Sequence, residues 1–347
     1  MVRLTRAQQQ ERNRAAVLAA ARDEFAERGY ADAKVDRIAE RAELTRGAVY
    51  SNFPSKRALY LAVLLDSLDP PEVTGRGSTL ADGLGTFARG WLERLPLTGD
   101  SPAGGHLRSR SMSGVFDDEP GRAAFAQVAR LEAILLGLAL ESRPPNVVRR
   151  VRLAELVLTV LSGTGHLAEK APGFGDPFDV IRACQHLAAL DLGDAWDPPH
   201  LPFVPPAQAV REAWTPPGTL PDLLTGEPAA FGGDGVIAVL GTGRLSAAEE
   251  AVRAAEHVTV VVVTNDHAEL GRLVRLRLGD LANCLLPVFG PPRPRVVLDD
   301  GRVASAVQVR DDDDTEAAVR VEAGEIVARA AGRGAAHAVG GSTRARR

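Results

Sequence analysis

"LTRGAVYSNFPSKRAL", residues 44–59, decides how the first part of this chain is read. Val49 and Phe53 fall on one side of a short helix that opens at Arg46 and is stopped by Pro54. Ser55 is a good N-cap for the next helix, which runs through Leu59, Val63 and Leu64. Opposite Val49 and Phe53 lie Thr45, Arg46, Gly47, Tyr50 and Ser51, with Asn52 beside them. Glycine inside a helix costs about 1 kcal/mol relative to alanine. Lys56 stands in a first helical turn, where the macrodipole disfavours a cation by about 0.3–1 kcal/mol. Both choices make sense against an anion. Gly47 lets another molecule come close, Arg46 offers a forked donor, and a phosphate would meet helix amides and the Lys56 ammonium together. The plain alternative is a solvated face on a small helical head.

Upstream, Leu18, Ala21 and Phe25 recur at helical spacing through residues 8–28, and Gly29 follows where a C-cap belongs. Val35, Ile38, Ala39 and Ala42 repeat the pattern in a second, short helix. Two short helices joined by a tight turn and packed on a longer one make a helix-turn-helix unit. Charge agrees with that reading. Residues 1–60 hold twelve Lys/Arg against eight Asp/Glu, while the whole chain of 347 residues carries −4. A basic head on an acidic body points to a polyanion at the head.

The segment 17–64 resembles the DNA-binding domain of TetR-family transcriptional regulators. The resemblance is carried by Phe25, Gly29-Tyr30, Val35, Ile38-Ala39, Gly47, Tyr50, Phe53 and Ser55-Lys56. It implies a third helix in the major groove, with Tyr50 and Lys56 on phosphates. The expected DNA-binding set is Lys34, Thr45, Arg46, Gly47, Tyr50, Ser51, Asn52 and Lys56. The sequence departs from the family pattern twice: Glu43 stands in the turn where glycine is usual, and Ala33-Lys34 stands where Thr or Ser usually precedes the second helix. Asp32 is a candidate cap there, and Lys34 a candidate phosphate contact.

Residues 61–192 continue helical, most strongly over 121–141, 146–169 and 177–190. The resemblance implies that this is a ligand-binding and dimerisation body, paired through 146–169 and 177–190 in a homodimer. Gly163 and Gly165 fit a close helix approach there; a simple kink is the alternative. Candidate walls of a small-molecule pocket are Phe87, Trp91, His106, Met112, Phe116 and Phe125, apolar area with one polar handle. His166, His186 and Cys184 read as packed residues, since no metal-ligand spacing links them.

The pattern changes after 192. Nine prolines fall in residues 193–235, which reads as a linker or an extended wrapping segment. Over 236–331 the period switches to that of an α/β domain. Runs 236–240 and 258–264 read as buried strands, with a helix between them opened by a capping box, Ser246 to Glu249. A helix over 267–280 follows, then "RVVL", Asp300-Gly301 and "VASAVQV" as a hairpin, then a helix over 315–330 behind the acidic run Asp311–Asp314. Residues 332–347 read as a disordered tail.

Strand, helix, strand, helix, hairpin, helix is the order of a thioredoxin-like fold, with Pro294 where such folds keep a cis-proline. "GTGR" at 241–244 occupies the place of the redox CxxC, so the domain resembles that shell without its chemistry. The two cysteines, Cys184 and Cys284, lie too far apart in sequence for a CxxC site and provide no disulfide framework. Gly241 and Gly243 at a strand-to-helix turn echo a dinucleotide fingerprint, with Ser246 in place of its third glycine.

Together these readings predict a multi-domain chain, its N-terminal two-thirds all-α and TetR-like, its remainder α/β. The expected protein is a cytoplasmic DNA-binding regulator and not an enzyme. Its expected partners are a palindromic double-stranded operator, a small-molecule effector and a second copy of itself, with no membrane, metal or cofactor. The alternative is an enzyme or a small-molecule or redox-sensing module tethered to DNA by the head. Truncation after Asp191 is then expected to change stability or induction but not operator sequence.

Overall fold

Thr5 opens the first helix, α1 (Arg6–Asp32), with a complete capping box: Gln8 N–H donates to its hydroxyl and its own N–H donates to the Gln8 side chain. The structure, a computed structural model, describes residues 5–68, 79–94, 107, 111–142, 149–171, 173–193 and 196–341. Gly29 takes a φ of 69°, which breaks α1 near its end as its expected C-cap role requires. Helices α2 (Val35–Arg41), α3 (Arg46–Asn52) and α4 (Lys56–Asp66) follow. Val17, Ala21, Phe25, Ile38, Val49, Phe53 and Leu59 close a common core between them. Burying side chains of this size stabilises by about 1.5–3 kcal/mol each.

The α2–α3 turn is made without glycine. Glu43 occupies the left-handed region at φ 54°, and its neighbour Leu44 donates its N–H to Ala39 O. A side chain in that region costs about 1–2 kcal/mol, partly offset in glycine by its greater loss of freedom on folding. Glu43→Gly is therefore expected to raise stability by about 0.5–1 kcal/mol. A denaturant midpoint at or below that of the parent chain would contradict this account of the turn.

The body consists, among the described residues, of α5 (Leu80–Leu92), α6 (Glu119–Glu141), α7 (Val151–Lys170) and α8 (Pro177–Leu187). Asp118 and Asp176 cap α6 and α8 by accepting N–H groups of Gly121 and Phe178. Helix α6 is long and apolar enough to cross a membrane, but Leu131, Ile134, Leu135 and Leu136 are fully enclosed by protein. It is the central core helix. A Cβ on Gly137 would lie 2.8 Å from the Val151 Cα, so the glycine permits the close crossing of α6 and α7. His166 and His186, expected to be packed, are exposed, whereas Cys184 is buried and its thiol is pushed up to about 11 by desolvation.

The C-terminal region is a six-stranded mixed sheet with helices. Its strands are β1 (Gln208–Ala213), β4 (Gly235–Gly241), β5 (Val258–Val263), β6 (Arg295–Leu298), β7 (Glu316–Glu322) and β8 (Glu325–Ala331), in the order β1-β8-β7-β4-β5-β6. Strands β4, β5 and β6 run parallel; β7, β8 and β1 are antiparallel neighbours. A small ribbon pairs β2 (Thr219–Pro221) with β3 (Pro228–Ala230). The helices are α9 (Ala248–Ala254), α10 (Leu270–Phe289), α11 (Arg302–Ala306) and α12 (Ala335–Gly341).

Several sequence expectations are corrected here. The proline-rich stretch is no free linker: β1 adds an edge strand to the sheet, and Trp214 is buried with its indole N–H donating to Phe231 O. The prolines flank β1 and leave its ladder positions to residues with an N–H. The hairpin lies at 316–331, not 295–309, so the helix expected over 315–330 is two strands. "RVVL" is a parallel edge strand, and "VASAVQV" opens as α11, whose Val303 and Ala304 N–H groups donate to Asp299. The Arg293–Pro294 bond is cis but precedes this edge strand rather than the hairpin. Ser246 makes no cap; its N–H donates to Gln127, and α9 starts without a side-chain cap. Residues 335–341 of the expected tail form α12. β4, α9, β5, α10, β7, β8 and α12 keep the expected order of strand, helix, strand, helix, hairpin and helix, and β1, β6 and α11 are additions to it.

The Gly241-Thr242-Gly243 turn is filled from within. A Cβ on Gly241 would lie 2.3 Å from Asp313 O, and one on Gly243 2.8 Å from the same atom. Gly243 N–H donates to that carbonyl at 2.8 Å, while the Thr242 and Thr264 hydroxyls donate to the Asp313 carboxylate at 2.7 and 2.6 Å. The acidic run therefore folds over the turn that would face a pyrophosphate. Close backbone approach by Asp313 explains both glycines.

Candidate nucleic-acid interface

Helix α3 is held by α1 and α2 through Val49, which is buried, and its other side is open. Thr45 caps α3, accepting the Ala48 N–H at 3.2 Å, and leaves the first turn exposed. Arg46, Gly47, Tyr50 and Ser51 are all exposed on that face. Among the described residues, a Cβ built on Gly47 would meet only Thr45 Oγ1, at 3.8 Å. Nothing in the fold thus requires a glycine there. The Arg46 guanidinium lies 5.5 Å from the Tyr50 ring and 3.2 Å from Asp36, and both neighbours hold it firmly cationic. Ser51 and Asn52 donate to Ala48 O at 2.9 and 2.8 Å, so these side chains are folded back on their own helix.

Lys56 has a structural role that the sequence does not suggest. Its ammonium donates to Ala31 O at 3.0 Å and lies 4.7 Å from the Tyr30 ring, so it closes the end of α1. Burial pulls its pKa down, while Asp32 and Glu24 pull it up. Ser55 caps α4 by accepting the Ala58 N–H at 2.9 Å. Lys34 is exposed at the N-cap position of α2, which has no side-chain cap from Asp32 or from Lys34 itself; buried Glu24 accepts the Lys34 N–H at 3.2 Å.

The C-terminal region reaches this head. Glu269, just before α10, accepts from the Ser55 hydroxyl and the Arg57 guanidinium. Arg272 donates to Ala58 O at 3.1 Å and stands 5.7 Å from the Phe53 ring. Asp118, the cap of α6, also binds Arg57. The start of α4 is therefore tied to the body and to α10 at once. Local sequence patterns give Glu269 and Arg272 no role, because only tertiary packing brings them to residues more than two hundred positions earlier.

In the body, a cavity of about 540 Å³ is lined by residues of α5, α6, α7, α10 and the segment 111–117. Of the candidate ligand residues, Trp91, Met112 and Phe125 line it. Phe87 and Phe116 are packed in the core, and His106 lies outside the described residues. Arg277 and Asp280 of α10 also line this cavity.

Residues 17–63 match the family described as "Bacterial regulatory proteins, tetR family". This segment therefore carries the DNA-binding head that the family model describes. Among solved structures, NalD, the secondary repressor of the MexAB-OprM multidrug efflux pump in Pseudomonas aeruginosa, is 20% identical, with a TM-score of 0.37 over 51% of this chain and 95% of NalD. A TetR transcriptional regulator from Rhodococcus sp. RHA1 is 20% identical, with a TM-score of 0.32 over 52% of this chain and 94% of that one. No curated protein matches the chain. About half of this chain lies outside each structural overlap.

Proposed function

We propose that the chain is a homodimeric, cytoplasmic repressor that binds a palindromic operator and is released by a small-molecule effector. The observation that carries this reading is the open face of α3, where Gly47 has no steric reason within the fold to be glycine. Arg46 beside it has a fork that matches guanine O6 and N7. The groups holding it, Asp36 and Tyr50, are themselves exposed, so the guanidinium can change partners. Two such faces on a two-fold dimer read half-sites about 34–36 Å apart, or a longer span where DNA is widened. The chain's own upstream region is the DNA to test first, by gel shift and footprinting with and without extracted small molecules. Failure to protect any symmetric site there or in a random-sequence selection would refute the operator reading.

Arg46 and Lys56 are assigned different parts. Arg46→Ala is expected to cost about 1–3 kcal/mol and relax preference at one position per half-site. Lys56→Ala should weaken all sequences alike and flatten the salt slope by about one unit for each phosphate it no longer neutralises. Its release from Ala31 O also loosens the end of α1, so melting is followed alongside binding. Exchanged phenotypes would reverse the assignment.

A further inference from the structure

The wall of the body cavity contributed by α10 has a sign. Arg277 and Glu132 are bonded at 2.7 Å, but only Arg277 lines the cavity; Glu132 is 1% exposed and lies behind it. The pair therefore presents its positive end to the cavity. Arg277 lies 5.2 Å from the Phe125 ring and 5.9 Å from that of Trp91, and Arg94 covers Trp91 at 4.5 Å. Guanidinium planes and aromatic rings thus alternate along one side. Two of the three acids on the lining are engaged, Asp280 with Arg94 at 3.0 Å and Glu169 with the hydroxyls of Ser111 and Ser113; the third, Asp117, shares the lining with the cationic Lys170. A guanidinium has five donors, and only one of those on Arg277 is spent on Glu132 at hydrogen-bond distance.

We propose that this cavity binds an organic anion carrying a flat aromatic ring, its acidic group held by Arg277 and its ring stacked along Trp91 and Phe125. The C-terminal region is then part of the effector site, and this inference rests on the reading that an effector binds the helical body. The same helix, α10, lies next to Glu269 and carries Arg272, the residues that hold the start of α4. Arg277 in the cavity and the contacts to the start of α4 are thus joined through one helix.

The test uses the full chain and three probes of one shape: 2-naphthoate, neutral 2-naphthamide and cationic 2-naphthylmethylamine, titrated by calorimetry. The expected result is that naphthoate binds at least about tenfold more tightly than the amide, as a charge-assisted bond requires. Arg277→Gln should abolish that preference and leave the amide unchanged. Because this variant strands a buried carboxylate, the double variant Glu132→Gln/Arg277→Gln is measured as well, and it should also show no preference. Glu132→Gln alone should keep or sharpen it. No binding of any probe, equal binding of all three, tighter binding of the amine, or a naphthoate preference that survives in the double variant would each overturn the proposal. Operator affinity is read separately by fluorescence anisotropy. Naphthoate that binds through Arg277 but leaves DNA bound would retire the release mechanism and keep the site.

Discussion

Truncation after Asp191 is expected to leave a chain that no longer melts cooperatively and that aggregates, rather than a stable repressor lacking an accessory module. The reason is α10. Fourteen of its residues are buried, including Leu273, Val274, Leu276, Leu281, Leu285 and Phe289. A Cβ on Gly83 of α5 would lie 2.7 Å from the Phe289 ring, one on Gly279 of α10 2.3 Å from Leu68 beside α4, and one on Gly90 3.9 Å from Cys284. These close approaches place α10 inside the core rather than against its surface, and a single apolar cluster runs from Val17 to Val339. Each buried Leu or Phe contributes about 1.5–3 kcal/mol, so removing a few of them takes away an amount comparable with the whole stability of a domain, about 5–15 kcal/mol. Read from sequence alone, 193–235 is a linker or an extended wrapping segment, and truncation changes stability or induction but not operator sequence. Calorimetry of the full chain should show one transition spanning head, body and sheet. A soluble 1–191 fragment with a sharp transition within a few degrees of the parent would show that the core is divisible.

The head is legible because its signals are local. Caps at Thr45 and Ser55, the stop at Pro54, the glycine at 29 and apolar spacing through Phe25, Ile38 and Val49 all act within a few residues. The runs that form β4 and β5 are also plain, being β-branched and buried on both faces. The hairpin is not. "EAAVRVE" and "EIVARAA" are rich in Glu and Ala, which favour helix, and their turn is Ala323-Gly324 instead of the usual Asn-Gly. Pairing with β4 on one side and β1 on the other overrides that preference. Asp300-Gly301 is a true turn, with Gly301 at φ 93°, but it leads from a strand into a helix. The cavity is half legible: Trp91, Met112 and Phe125 can be nominated as apolar residues of the body, whereas Arg277 and Asp280 lie on a helix that no local pattern assigns to it.

Charging the outer face of α7 and α8 is expected to break the proposed dimer and, with it, the proposed operator binding. Leu167, Phe174 and Phe178 are 44%, 71% and 63% exposed, while the inner side of α8 is packed so closely on α5 that a Cβ on Gly85 would lie 2.6 Å from Gln185. Among the described residues, a Cβ on Gly163 would meet nothing within 4 Å, which leaves room for a second helix to approach. In a two-fold interface each substitution is counted twice. Leu167→Asp with Phe178→Asp therefore places four carboxylates in an apolar contact, at a cost of roughly 1–3 kcal/mol each. The dimer dissociation constant should rise by about a thousandfold or more, and a monomer that grips only one half-site loses the gain from linking two heads. The control is Phe203→Asp. That side chain is 84% exposed, more than any of the three, but it stands on the wrapping segment before β1 and is assigned no role in the interface. Analytical ultracentrifugation should give a monomer for the α7/α8 variant, an unchanged dimer for Phe203→Asp, and the same melting profile for the protomer in both. A monomer from Phe203→Asp with an intact dimer from the other variant would move the interface to the C-terminal region.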